Sequence, residues 1–224
     1  MLASFNHLNI ILLAEIFKSS DNFYIAMEYC ERGNLLNYIN KKKCLNDEEA
    51  SFFYFQLING LEYLHSKGII HNNLTAENLL LTKELILKIK NFTLSKYSQK
   101  NQKNLLFNGS NLTYYSSPEM LSGKKYDGFK ADIWSTGIML YLMLCGNFPF
   151  EDKDNLLLSR KILKCSFDFP KNISKEAKDL IKKILIANPD ERLTILDIKN
   201  HAFYLKGKNI FEQEIDISKL KIND

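Results

Sequence analysis

Residues 63–81 read YLHSKGIIHNNLTAENLLL, and the breaks within that stretch organise everything around it. Tyr63 and Leu64 close an amphipathic run, and Gly68 stands where a helix can end in a left-handed residue, because glycine has no Cβ to clash there. Ile69-Ile70 is too short an apolar run for a helix. His71-Asn72-Asn73 is a polar break, and Leu79-Leu80-Leu81 is a second short apolar run. The stretch therefore reads as helix end, short strand, loop, short strand. Working back, Asn46-x-x-Glu49 resembles a capping box with Asn in the usual Ser/Thr place. After it, Ala50, Phe53, Tyr54, Leu57, Ile58, Leu61 and Leu64 recur at helical spacing, so one helix is expected from about Asn46 to Gly68. Further upstream, 10–17 (IILLAEIF) and 23–29 (FYIAMEY) are apolar runs split by the polar 18–22, which is the pattern of a β-hairpin.

Working forward, residues 69–90 alternate short apolar runs with polar breaks, as short strands do. Residues 91–117 show no period and read as a long loop, the kind that in a compact domain usually carries function. Residues 131–145 (ADIWSTGIMLYLMLC) are apolar nearly all round, which calls for a helix buried on every side. An amphipathic helix opens at Ser174 and is expected to end near Asn188-Pro189, and a short one spans about Thr194 to His201. The expected fold class is α+β, a small β-piece followed by a mostly helical lobe.

Composition narrows the function. The 224 residues carry 25% charged side chains and a net charge of +4. No Lys/Arg stripe is interleaved with aromatics, so a nucleic-acid partner is not expected. The longest apolar run, Ile138 to Cys145, is too short to span a bilayer, so no membrane role is expected. Cys30, Cys44, Cys145 and Cys165 are widely spaced, with neither CxxC nor a His pair nearby. That argues against zinc and for reduced thiols, hence a cytoplasmic setting.

Five blocks in order then resemble protein kinases of the Ser/Thr type. Residues 63–81 are similar to the catalytic loop Y-L-H-x-x-x-I-x-H-R-D-L-K-P-E-N-L-L. LKIKNFTLS (87–95) is similar to the metal-binding K-I-x-D-F-G-L-S, and YSSPEML (115–121) to the Y-x-S/A-P-E segment. DIWSTGIMLYLMLCGNFPF (132–150) is similar to the D-x-W-S-x-G helix and its exit, and NPDERLTILDIKNHAF (188–203) to the D-P-x-x-R block. Glu77-Asn78 points to the Ser/Thr branch, and the C-terminal part resembles the calcium/calmodulin-dependent and AMP-activated group. The resemblance implies a protein-kinase-like fold, mostly the helical C-lobe, with two strands as a remnant of the N-lobe. It divides the chain into an N-lobe remnant at 1–29, a C-lobe at 30–204 and a short tail at 205–224. His7-Leu8-Asn9-Ile10 resembles the segment that follows the family's regulatory helix, so the chain is expected to start about where that helix ends.

Phosphoryl transfer is mostly positioning plus stabilisation of spread negative charge, and the residues the family uses for it are replaced here. The base position is Asn73, whose amide cannot take a proton at neutral pH. Loss of a positioned base typically costs about 10²–10⁴ in rate. Thr75 stands for the lysine on the γ-phosphate. Asn91 stands for the metal-binding aspartate, beside Thr93 in place of the glycine. Asn78 matches the second metal ligand. The 224 residues contain no G-x-G-x-x-G, and Lys18 is the only lysine before the hinge-like Met27-Glu28-Tyr29-Cys30. Met27, Glu28, Cys30 and Leu80 would face an adenine, and Met139 and Met143 would lie under it.

By contrast the family's scaffold residues match. His71 and Phe92, with Leu13, would form its hydrophobic stack. Asp132 would tether the His71 loop, and Glu119 would pair with Arg192. The resemblance thus implies an inactive kinase-fold protein that acts as a binding or regulatory module. Its partner would be another protein, such as a second kinase, and it would need no cofactor. The alternative is an active Ser/Thr kinase using ATP and Mg²⁺, whose ATP-binding lobe lies outside these residues; a third reading is a remnant without function. Asn72 replaces the arginine that clamps a phosphorylated loop, so phosphorylation at Ser110 or Thr113 would lack its usual partner. The apolar faces of 10–17 and 23–29 are expected to be exposed and to need cover.

Overall fold

The structure, a computed structural model, describes residues 5–98, 105, 113–170 and 172–215. Strands β1 (Leu13–Lys18) and β2 (Phe23–Met27) form the antiparallel hairpin expected from the sequence, with Lys18 opposite Phe23 and a turn closed by Ser19 N–H donating to Asn22 O at 2.8 Å. Both strands are largely exposed, up to 71% at Phe23. The expectation for 10–17 needs a correction at its start. Ile10 and Ile11 are buried, because Ile11 N–H donates to Ile89 O at 3.0 Å and draws that end into the core.

Helices α1 (Leu35–Lys42) and α2 (Asp47–Ser66) follow. Asn46 caps α2 by accepting from the Glu49 backbone N–H at 2.9 Å. The capping box is only half made, because the Glu49 carboxylate turns instead to Tyr38 and Lys42. Gly68 takes φ +73° just past the helix end, as its position suggested. Then come β3 (Ile69–Ile70), β4 (Leu79–Leu81), β5 (Leu87–Ile89) and β6 (Lys96–Tyr97), with β4 paired to β5 and β3 to β6, both antiparallel. Short 3₁₀ turns at 76–78 and 92–94 interrupt them.

Helix α3 (Gly128–Cys145) is the axis of the lobe. It is capped by Asp127, whose carboxylate accepts from Phe129 N–H at 2.9 Å, and it is buried over nearly its whole length around Trp134. Its lack of a polar face is what a helix enclosed by others requires. Then follow α4 (Asn155–Lys164), α5 (Lys175–Ile184), α6 (Ile195–Lys199) and α7 (Ala202–Glu214), of which α5 packs on α3. Helix α5 stops at Ile184, short of the expected Asn188.

The stretch expected as a tail at 205–224 opens within a helix. Helix α7 crosses the boundary without a break and packs on α2 through Phe203, Tyr204, Gly207 and Phe211, all buried. The approach is close enough that a Cβ on Gly207 would lie 2.0 Å from the Ser51 carbonyl oxygen. A backbone carbonyl in a helix cannot step aside. Gly207→Ala is therefore expected to destabilise the fold by about 1–3 kcal/mol despite its better helix propensity. A denaturant melt checks this, and an unchanged or raised midpoint would detach α7 from the core. Residues 216–224 lie outside the described residues. Among the described residues no helix is long and apolar enough to cross a membrane.

Candidate functional site

The site is built on the loop between β3 and β4 and on the turn after β5. Asp132, near the start of α3 and 2% exposed, holds the first of these. One carboxylate oxygen accepts from the His71 backbone N–H at 2.8 Å and from His65 Nε2–H at 3.0 Å, and the other accepts from the Asn72 N–H at 2.9 Å. Two successive backbone donors aimed at one carboxylate fix the path of the loop. Asn72 can sit there at φ +60° because asparagine tolerates the left-handed region. Its side chain donates to Leu94 O at 3.4 Å and accepts from Tyr126 Oη at 3.3 Å. The part played by His65 was not read from the sequence. Its signals were the His of the kinase-like Y-L-H block and a place on the mostly apolar face of an amphipathic helix.

His71 is fully buried and donates from Nε2 to Lys90 O at 2.9 Å, while its Nδ1 accepts from Asn73 N–H at 3.3 Å. A protonated ring would turn Nδ1 into a donor facing a donor. Burial first, outweighing the nearby Asp132, lowers its pKa from 6.5. The folded state thus binds this proton less readily than the unfolded chain. Stability from this group is complete above the unfolded pKa and is lost as pH falls below it, by up to about 1.4 kcal/mol per pH unit. Melting temperature is expected to fall between pH 7 and pH 5, with a shallower slope in His71→Gln. An equal slope in both proteins would remove His71 as the source. Phe92 packs on His71 with ring centroids 5.2 Å apart, and on its other side meets Phe5, also at 5.2 Å. Leu13, expected as a third stack member, is half-buried on β1 outside the core cluster, and Phe5 is what packs on Phe92 instead.

The residues at the positions of chemistry meet one another. Asn91, at φ +68° before the 92–94 turn, donates from Nδ2 to Asn78 Oδ1 at 3.2 Å. Asn78 donates from Nδ2 to Asn73 O at 2.9 Å, and Thr93 Oγ1 donates to Asn91 Oδ1 at 2.7 Å. The result is an amide and hydroxyl run that ends on the Asn73 backbone carbonyl. Both amide oxygens that could ligate a cation already accept a hydrogen bond, and neither carries charge. Mg²⁺ dehydrates reluctantly and is held mainly through carboxylates, so this donor set does not fit it. Thr75 shares a small cleft with Asn73, Thr113 and Tyr115, and brings no cation.

On the other side of β5, Lys88 is buried and pairs with Glu28 at 3.0 Å, and Glu28 also accepts from Leu12 N–H at 2.7 Å. This pair was not read from the sequence. Lys88 sits mid-strand between two buried residues, where a lysine needs a partner. Cys30 is buried close by, and burial, then Glu28, pushes its thiol up to about 11, so it is not a nucleophile at neutral pH. Leu80 is half-buried opposite Lys88, and Met27 is 43% exposed at the end of β2. Met139 and Met143 are buried in the lobe core.

Farther off, Arg192 forks onto Glu119 with 2.8 and 2.9 Å bonds, and also donates to Lys130 O at 2.6 Å and Ile186 O at 3.1 Å. Its guanidinium lies over Trp134 at 5.0 Å. Thr113 Oγ1 accepts from Tyr115 N–H at 3.2 Å within a local turn, and Ser110 lies outside the described residues.

Comparison with known proteins agrees with this architecture. The family model described as protein kinase domain matches residues 1–204. A probable serine/threonine-protein kinase of Dictyostelium discoideum is 37% identical over 215 residues, covering 96% of this chain and 26% of the relative. CBL-interacting protein kinase 11 of Oryza sativa is 40% identical over 205 residues, covering 91% of this chain and 41% of the relative. CBL-interacting serine/threonine-protein kinase 10 of Arabidopsis thaliana is 36% identical over 218 residues, covering 97% and 45%. The chain thus spans less than half the length of each of these relatives.

Proposed function

Because this chain belongs to the protein kinase family, with Ser/Thr kinases as its homologues, we propose that it is a member without phosphotransfer activity that serves as a protein-binding or regulatory module. The observation that carries this reading is the side-chain run Thr93–Asn91–Asn78, which ends on the Asn73 backbone carbonyl. The family needs one carboxylate to orient the attacking hydroxyl and another to hold metal. Here neutral amides, Asn73 and Asn91, fill both places, and the Asn91 amide is taken up by Asn78 and Thr93. An amide takes no proton at neutral pH, and catalytic groups that act as a unit do not fail additively. The scaffold supports the same reading from the other side. Asp132, His71, Glu119 and Arg192 keep their partners and hold the fold without reference to chemistry.

The melting temperature with and without ATP and Mg²⁺ tests this. A ligand at a hundred times its Kd adds about 2.7 kcal/mol to stability. No Mg²⁺-dependent rise is expected at millimolar nucleotide. A clear rise that Asn91→Ala abolishes would show the amides holding a metal–nucleotide complex and would sink the proposal.

A further inference from the structure

Helix α4 departs from the usual pattern of a surface helix. Its inward face is Leu158 and Ile162, both buried, so its outward face should be polar. Instead Leu156, Arg160 and Leu163, at i, i+4 and i+7, share one outward stripe, with Leu156 72% and Leu163 50% exposed. Leu157, 45% exposed, lies beside it. One exposed leucine is ordinary, but three on a ten-residue helix make a patch. The patch continues off the helix. Leu163 also walls a groove of about 550 Å³, whose other apolar lining comes from Pro118, Tyr126, Ala187 and Pro189.

Charge around this surface is unbalanced. Its carboxylates are engaged: Glu119 with Arg192, Asp190 with Lys130, and Asp127 on the Phe129 backbone N–H. Asp152 pairs with Lys161, and Asp154 caps α4 by accepting from Leu156 and Leu157 N–H at 2.7 and 3.0 Å. Glu151 lies only at the N-terminal approach to the helix. Lys124 and Lys125, in the groove lining, and Arg160 and Lys164, on α4, make no ion pair among the described residues.

We propose that the outward face of α4 and the adjoining groove dock an acidic segment of a partner protein that inserts a bulky apolar side chain beside Leu163. The purpose rests on the binding-module reading above; the geometry does not. Apolar burial in the groove would supply the anchor, and the four cations would steer and orient the acidic flanks.

The test is fluorescence anisotropy with a short fluorescein-labelled peptide of Glu and Asp flanking Leu and Phe, alongside the same peptide with Lys for every acid. The acidic peptide is expected to bind saturably, with a Kd on the order of 10 µM, and the basic one not to bind. Leu163→Asp is expected to weaken binding at least about tenfold. The double substitution Lys124→Glu, Lys125→Glu should weaken it and flatten its salt dependence. Because both lysines are exposed, this second variant carries the test should the first melt early. Three results would overturn the proposal: equal binding of both peptides, no saturable binding at about 1 mM, or variants that bind like the parent. A phosphotransfer assay on the same preparations separates the two claims. Activity with peptide binding intact overturns the inactive reading alone, and inactivity without peptide binding overturns the docking surface alone.

Discussion

Arg192→Ala is expected to cost about 3–5 kcal/mol of stability, a large share of the roughly 5–15 kcal/mol that holds a typical domain folded. The guanidinium is 1% exposed and Glu119 10%, so water cannot replace the lost partner. Removing it strands a carboxylate, the Lys130 and Ile186 carbonyls, and the face of Trp134 together. Arg192→Lys should recover little, because a point charge cannot make the two parallel bonds of the fork. The pair Glu119→Gln, Arg192→Met should recover much of the loss, since the penalty lies in the unpaired charge. Denaturant melts of the four proteins check this. A single-mutant loss below about 1 kcal/mol would mean that the pair behaves as an exposed one.

The second large effect falls on Asp132. Asp132→Ala leaves the His71 and Asn72 backbone donors and the His65 ring without their acceptor inside the protein. Hydrogen bonds to a buried charge are worth about 1.5–3 kcal/mol each, so a loss of at least about 3 kcal/mol is expected. Hydrogen exchange localises the effect: the amides of His71 and Asn72 should lose protection well before those of α5. Retained protection at those two amides would mean that the loop is held by something other than this carboxylate.

Both residues belong to the part of the molecule that was legible in the sequence. The buried helix at 131–145, the helix closed by Gly68 and the β-hairpin could be read because period and punctuation agree there. Asp132, Glu119 and Arg192 stood out only through the ordered kinase-like blocks, since spacing says nothing about partners about sixty or seventy residues apart. Helices α1, α4 and α7 were not read. In α1 and α4 the short apolar stripes are cut by Lys and Asn, and in α7 Gly207 looks like a breaker until its approach to Ser51 explains it. The stack on Phe92 was misread because its outer member comes from Phe5, before the first strand. The chemistry was legible by type but not by arrangement. Asn73 and Asn91 read as replacements and Asn78 as a match, one at a time, whereas the bonds from Asn91 to Asn78 and from Asn78 to the Asn73 backbone carbonyl depend on how two loops meet.

The most direct test of the central claim is transfer of radiolabelled phosphate from ATP in the presence of Mg²⁺, to the protein itself and to a generic Ser/Thr substrate. The expected result is incorporation no greater than that of an Asn78→Ala, Asn91→Ala control. Mg²⁺-dependent incorporation above that control, lost when the two amides are removed, would contradict the account and make this chain an enzyme.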